Sequence, residues 1–174
     1  MRIRSILFDL DDTLTAHERL YDESYRQLLQ PFSRDLSGGI DKALATAKQL
    51  ATLMGRMSPS RQYLDAIGIG GRDILWGDSH GKHPELKALA NQIPKFRTDF
   101  WQQMLSKHGV YISDTQAKRL ATIFPREMRS RIFAFDDVLT VLKFLENRFN
   151  IGLVTNGLPI TQREKLSQVG ILQY

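Results

Sequence analysis

Near the start of the chain, Ile3-Arg4-Ser5-Ile6-Leu7-Phe8 gives way at once to Asp9, Asp11 and Asp12. The run is short, apolar and rich in β-formers, and it stops in carboxylates. That is the pattern of a strand buried on both faces, with polar residues at its C-terminal tip. A second run of this kind covers residues 151–154 and stops in Thr155-Asn156-Gly157. Before it, Val138, Leu139, Leu142, Leu145 and Phe149 recur at helical spacing behind Asp136 and Asp137. After it, Thr161 and Glu164 have the spacing of a capping box that opens another helix. Helix, strand, loop, helix is the rhythm of a parallel sheet, so the pattern predicts an α/β fold with a Rossmann-like core.

Between the two runs the pattern changes. Helical periodicity predicts helices over residues 20–29, 40–57, 96–107 and 115–128, with Pro125 ending or kinking the last. Ser37-Gly38-Gly39 is a breaker, and residues 68–71 and 77–81 are glycine-rich loops. The simplest parse is an α/β core built from residues 1–15 and 132–174, interrupted by a helical insertion over 16–131.

Composition removes several classes of function. Of 174 residues, 42% are hydrophobic and 25% charged, the balance of a globular protein and not of a disordered one. With no cysteine, neither a disulfide framework nor a thiolate metal site can form. The net charge of +5 comes from scattered residues. Even the densest group, Arg126, Arg129 and Arg131, contains Glu127 and has no aromatic ladder, so no nucleic-acid partner is expected. The carboxylates at 9–12 cut short any secretory signal, and no stretch approaches the roughly 18 apolar residues of a membrane span. A soluble, cytoplasmic protein without a membrane partner is the expectation.

The chemistry lies in Ser5-Ile6-Leu7-Phe8-Asp9-Leu10-Asp11-Asp12-Thr13-Leu14. Two carboxylates one residue apart at a strand's end can share a cleft, one as nucleophile and the other managing protons. Asp9-Leu10-Asp11-Asp12-Thr13 resembles the first motif of the haloacid dehalogenase (HAD) superfamily, and Leu153-Val154-Thr155-Asn156-Gly157 resembles the second. The helical stretch between them resembles the inserted cap of subfamily I. The run from Thr155 through Thr161-Gln162-Arg163-Glu164-Lys165 is similar to sugar-phosphate and nucleotide phosphatases of the N-acylneuraminate-9-phosphatase-like group.

The resemblance implies a Mg²⁺-dependent phosphatase of a small phosphorylated metabolite. Asp9 would be the nucleophile that forms an aspartyl phosphate, and Asp11 the general acid and base. Thr155 and the amides around Asn156 would bind the phosphoryl oxygens. Mg²⁺ would sit on the Asp9 side chain and the Asp11 carbonyl, offsetting repulsion between carboxylate and phosphate. Asp11 favours a phosphatase over a dehalogenase, because halide departs without a proton. The alternative is a member that binds phosphate or a partner without turnover.

The resemblance also implies a lysine in a Lys-Pro setting after the second motif, and an acidic pair later still. The chain stops at Tyr174, before either would stand. An exposed edge on the first strand is therefore expected, and with it marginal stability, self-association or a piece of a longer product. Lys165, the nearby lysine after Thr155, reads as a helix-surface residue. His80 and His83 read as incidental loop histidines, and Trp76, Phe100 and Trp101 as core of the helical insertion.

Overall fold

The computed structural model describes residues 3–174. Its sheet has two strands, β1 (Ser5–Phe8) and β2 (Asn150–Leu153), paired in parallel. The register sets Ser5 opposite Asn150 and Phe8 opposite Leu153. Parallel neighbours cannot be joined by a tight hairpin, so residues 9–149 form one long crossover.

That crossover is helical, as its periodicity predicts. It runs through α1 (His17–Leu29), α2 (Gly39–Arg56), α3 (Arg61–Ala66), α4 (Gly71–Ile74), α5 (Pro84–Ser106) and α6 (Asp114–Ser130) to α7 (Val138–Glu146), which leads into β2. Beyond β2 comes α8 (Pro159–Gln168). In α2, Ala43, Leu44, Ala47, Leu50 and Ala51 are buried, the one-sided stripe of a 3.6-residue repeat. Helix α6 opens on a capping box, in which the Ser113 hydroxyl accepts from the Gln116 amide and the Gln116 side chain accepts from the Ser113 amide.

The helical region has an aromatic centre. Tyr25 and Phe124 have ring centroids 4.6 Å apart, and Trp101 lies 5.6 Å from Phe124 and 5.4 Å from Phe100. All four side chains are buried, as is Trp76, in agreement with the reading of Trp76, Phe100 and Trp101 as core. Helices α2 and α4 meet through Gly55 and Gly71. A Cβ on Gly71 would lie 1.9 Å from the Ala51 carbonyl oxygen, and no side chain can be accommodated there. A separate apolar cluster of Leu10, Leu14, Val138, Leu142 and Ile171 supports the sheet.

Three expectations need correction. Neither helix-internal proline ends its helix. The helix expected over 96–107 begins at Pro84 and runs through Pro94, and α6 continues past Pro125 to Ser130. Helices α5 and α6 pack against each other, and this tertiary contact outweighs the amide each proline removes. Thr161 is not an N-cap either. Helix α8 starts two residues earlier, at Pro159, whose fixed φ suits the first helical position. Finally, the first strand is not buried on both faces. Ile3 and Leu7 are each 67% exposed, because among the described residues the sheet is a single pair of strands, each with one unpaired edge.

Ion pairing ties α1 to α2 and α4. The Glu18 carboxylate accepts from Lys48 at 2.8 Å and from Arg72 at 2.7 Å. Partial burial pushes the Glu18 pKa up, but the two cations outweigh it and hold the group below its ordinary 4.5. A depressed carboxyl pKa stabilises the fold above the unfolded value, and that stability is lost as pH falls through the folded value. Glu18 is half exposed, so the effect is at most about 1 kcal/mol. Urea midpoints of the wild type and Glu18→Gln should therefore differ at neutral pH and converge as pH is lowered below about 4.

Candidate active site

Both sequence motifs end at the same edge of the sheet. Beyond the last paired residues, the Val154 amide donates to the Phe8 carbonyl at 2.9 Å, so the parallel ladder continues to the threshold of Asp9 and Thr155. Leu10 is fully buried and anchors the loop that follows β1. The amides of Leu14 and Thr15 both donate to its carbonyl, at 2.9 and 3.0 Å, which closes a tight turn. Within that turn Asp12 takes φ +58°, a left-handed conformation uncommon outside glycine. The turn separates the two carboxylates of the first motif by environment. Asp9 is exposed and accepts one hydrogen bond, from the Thr13 hydroxyl at 3.3 Å, whereas the side chain of Asp11 is only 25% exposed.

Asp11 is surrounded by donors. Lys165 Nζ lies 2.7 Å from Oδ1 and 2.8 Å from Oδ2. Gln162 Nε2 donates to Oδ2 at 3.1 Å, Thr15 Oγ1 donates to Oδ1 at 3.4 Å, and His17 Nδ1 stands 3.4 Å from Oδ1. The same Gln162 nitrogen is 2.6 Å from Thr155 Oγ1 and 2.8 Å from the Asn156 carbonyl. Two amide hydrogens are thus shared among three acceptors drawn from both motifs. Asp11 and Thr155, far apart in sequence, meet on one side chain.

The expectation that Lys165 lies on the helix surface is wrong. Its side chain is 3% exposed, and its ammonium stands 5.1 Å from the centre of the Trp76 ring as well as on Asp11. A buried ammonium needs a counter-charge, and Asp11 is the carboxylate within reach. Burial pushes the Lys165 pKa below its ordinary value, and Asp11 offsets only part of this. For Asp11, burial raises the pKa, but Lys165, His17 and the hydrogen bonds together hold the carboxyl below its ordinary value. His17 is lowered by burial and then by Lys165, against the opposing pull of Asp11. Asp11 is therefore a carboxylate at neutral pH in this arrangement.

Among the described residues, no group of three or more His, Asp or Glu side chains converges as a metal site. The oxygens offered at this edge are the exposed Asp9 carboxylate and the Asp11 main-chain carbonyl, which accepts no backbone hydrogen bond from the described residues. His83 pairs with Glu85 at 2.6 Å and takes no part here.

Gln162, Lys165, His17 and Trp76 were not legible as site residues. The available signal was in α8, where the buried residues are Thr161, Gln162 and Lys165, all polar, on a face that should be apolar if it served packing alone. Residues of the long crossover reach the same place. Asp78 donates its amide to Thr161 Oγ1 at 3.2 Å, and Arg129 joins Asp78 to Glu164 of α8 at 2.7 and 3.1 Å. Gly68 lies against Asn156.

The profile of the haloacid dehalogenase-like hydrolases matches residues 3–174. The chain belongs to that family. The HAD-like chain is 30% identical over 173 residues to a phosphoserine phosphatase of Thermus thermophilus, a match over 99% of the chain and 65% of the relative. Among solved structures, it superposes on the HAD-hydrolase YfnB of Bacillus subtilis bound to magnesium, with a TM-score of 0.53 and 18% identity, over 99% of the chain and 62% of that protein. It also superposes on L-2-haloacid dehalogenase of Xanthobacter autotrophicus, with a TM-score of 0.50 and 12% identity, over 99% and 54%. These two likenesses establish the fold: a mostly helical α/β arrangement on a small parallel sheet. The HAD-like chain spans less than two thirds of the length of each of these proteins. No helix among the described residues is long and apolar enough to cross a membrane.

The contact between Gly68 and Asn156 is open to test. Gly68 has φ +66°, and an added Cβ would fall 2.5 Å from the Asn156 side-chain nitrogen. Gly68→Ala should cost about 1 kcal/mol in left-handed strain alone, read as a lowered melting temperature, and should push the 68–71 loop off Asn156.

Proposed function

We propose that this chain carries the nucleophile and the phosphate-binding motif of a phosphatase acting on a small phosphorylated metabolite. The observation that most supports the reading is the single amide of Gln162 bonded to both Asp11 and Thr155. It joins the Asp11 carboxylate of the first motif and the Thr155 hydroxyl of the second on one side chain, which supports their joint use on a phosphate ester. The phosphoserine phosphatase relative supports a small phosphate monoester as substrate class. The run after Thr155 supports the narrower likeness to the N-acylneuraminate-9-phosphatase group.

In this reading an oxygen of Asp9 attacks phosphorus while the bond from phosphorus to the ester oxygen breaks. Asp9, exposed and lightly bonded, is free to approach. Asp11, an ion-paired carboxylate before substrate arrives, takes up a proton from solvent as the anionic phosphate enters beside it, and passes that proton to the departing alkoxide. Asp11 then takes a proton from the water that attacks the aspartyl phosphate, which releases phosphate and restores Asp9. Thr155 and the amides around Asn156 hold the phosphoryl oxygens. The Asp9 carboxylate and the Asp11 carbonyl suit a Mg²⁺ ion that keeps most of its water, and such an ion would neutralise charge between carboxylate and phosphate. Residues 16–131 serve as a cap over this edge, and residues 1–15 with 132–174 as the core that carries it.

Hydrolysis of p-nitrophenyl phosphate with Mg²⁺ tests the reading. The wild type should turn over, and Asp9→Asn should lower kcat by at least about a thousandfold. Equal rates in the two proteins would refute the assignment. Phosphate binding without turnover would favour a role in binding alone.

The unpaired sheet edge and the exposed Ile3, Leu7 and Val154 beside it support self-association of the chain. Sedimentation velocity should show dimers or larger species that dissociate on dilution. A monomer at every concentration, melting in one sharp transition, would exclude it.

A further inference from the structure

Helix α8 departs from the usual logic of an amphipathic helix. A helix packed against a sheet buries its apolar stripe, yet the buried residues of α8 are Thr161, Gln162 and Lys165. Burying polar groups is unfavourable unless each finds a partner, and each of these does. Thr161 accepts from the Asp78 amide, Gln162 reaches Asp11, Thr155 and the Asn156 carbonyl, and Lys165 holds both oxygens of Asp11. An apolar face would be simpler to build and would pack as well. What the polar face adds is a fixed orientation for two side chains that otherwise rotate freely.

We propose that Gln162 and Lys165 are positioning residues, which lock the Asp11 carboxylate and the Thr155 hydroxyl into one geometry before substrate arrives. Lys165 grips the carboxylate by both oxygens, so its plane cannot turn. Gln162 fixes the distance from that carboxylate to the hydroxyl on the neighbouring strand tip. Neither residue needs to touch substrate. Their effect falls on the transition state, where alignment of the proton donor and the phosphoryl grip matters most, and little on ground-state binding. The inference rests on the phosphatase reading and adds two residues to it.

The test uses the full chain with p-nitrophenyl phosphate and Mg²⁺, in the wild type and in Asp9→Asn, Gln162→Met, Lys165→Met and Lys165→Arg. Methionine keeps the length of either side chain and removes its donors. Both methionine variants should lose kcat by about 10- to 100-fold with KM within about threefold of wild type. Lys165→Arg, whose guanidinium can also span two carboxylate oxygens, should recover most of the loss. Lys165→Met leaves Asp11 without its counter-ion, and if that variant fails to fold, Gln162→Met carries the test alone because the ion pair stays intact.

A purely structural role would instead lower the melting temperature, leave kcat per folded molecule unchanged and show no rescue by arginine. An active wild type, a dead Asp9→Asn and methionine variants at wild-type kcat would overturn the positioning role and leave the phosphatase reading standing. A wild type that neither turns over nor binds inorganic phosphate would overturn both.

Discussion

The parallel pairing of Ser5–Phe8 with Asn150–Leu153 is the constraint from which the rest follows. Because the strands run the same way, their C-terminal tips emerge at the same edge, and the polar residues after each tip become neighbours. The intervening chain must cross over, and its helices pack among themselves around Tyr25, Phe100, Trp101 and Phe124. The crossover therefore has an interior of its own, and its loops are free to reach the edge where the strand tips meet. Asp78 and Gly68 do so.

Much of this was legible from the order of residues. The two apolar runs, each ending abruptly in polar residues, located the strands to within a residue or two, and the helical periodicity between them located most of the crossover. The largest error at a helix end was the start of α5, expected at Phe96 and found at Pro84. Pro94 and Pro125 each remove one amide, a local cost, and are outvoted by packing between α5 and α6, which no local pattern reveals. Burial of the first strand was misjudged for a related reason. The alternation of its side chains cannot say how many strands will lie beside it.

At this edge, the residues carried by short motifs could be placed from the sequence, and those brought in by the fold could not. Asp9, Asp11, Thr155 and Asn156 sit where strand ends place them. Gln162 and Lys165 are visible only in three dimensions, because a lysine on a helix of mixed composition looks like any solvated lysine. Its burial depends on the carboxylate of Asp11, which arrives from the far end of the chain. The same pairing separates the two aspartates in character. Asp11 is embedded among donors, and Asp9 meets solvent with a single hydroxyl for company. Two identical side chains one residue apart are thereby given different surroundings.

The distance in sequence between β1 and β2 also dictates an order of assembly. Contacts within the crossover are comparatively local, whereas the strand pair must close a loop that spans most of the sequence, and loop closure is unfavourable in entropy until the intervening segment has condensed. The helices therefore form first and bring the strands together. During synthesis from the N-terminus, Asp9 and Asp11 leave the ribosome early but have no Thr155, Gln162 or Lys165 to meet until the whole crossover has emerged. The edge that carries both motifs is therefore assembled late, as a consequence of topology alone.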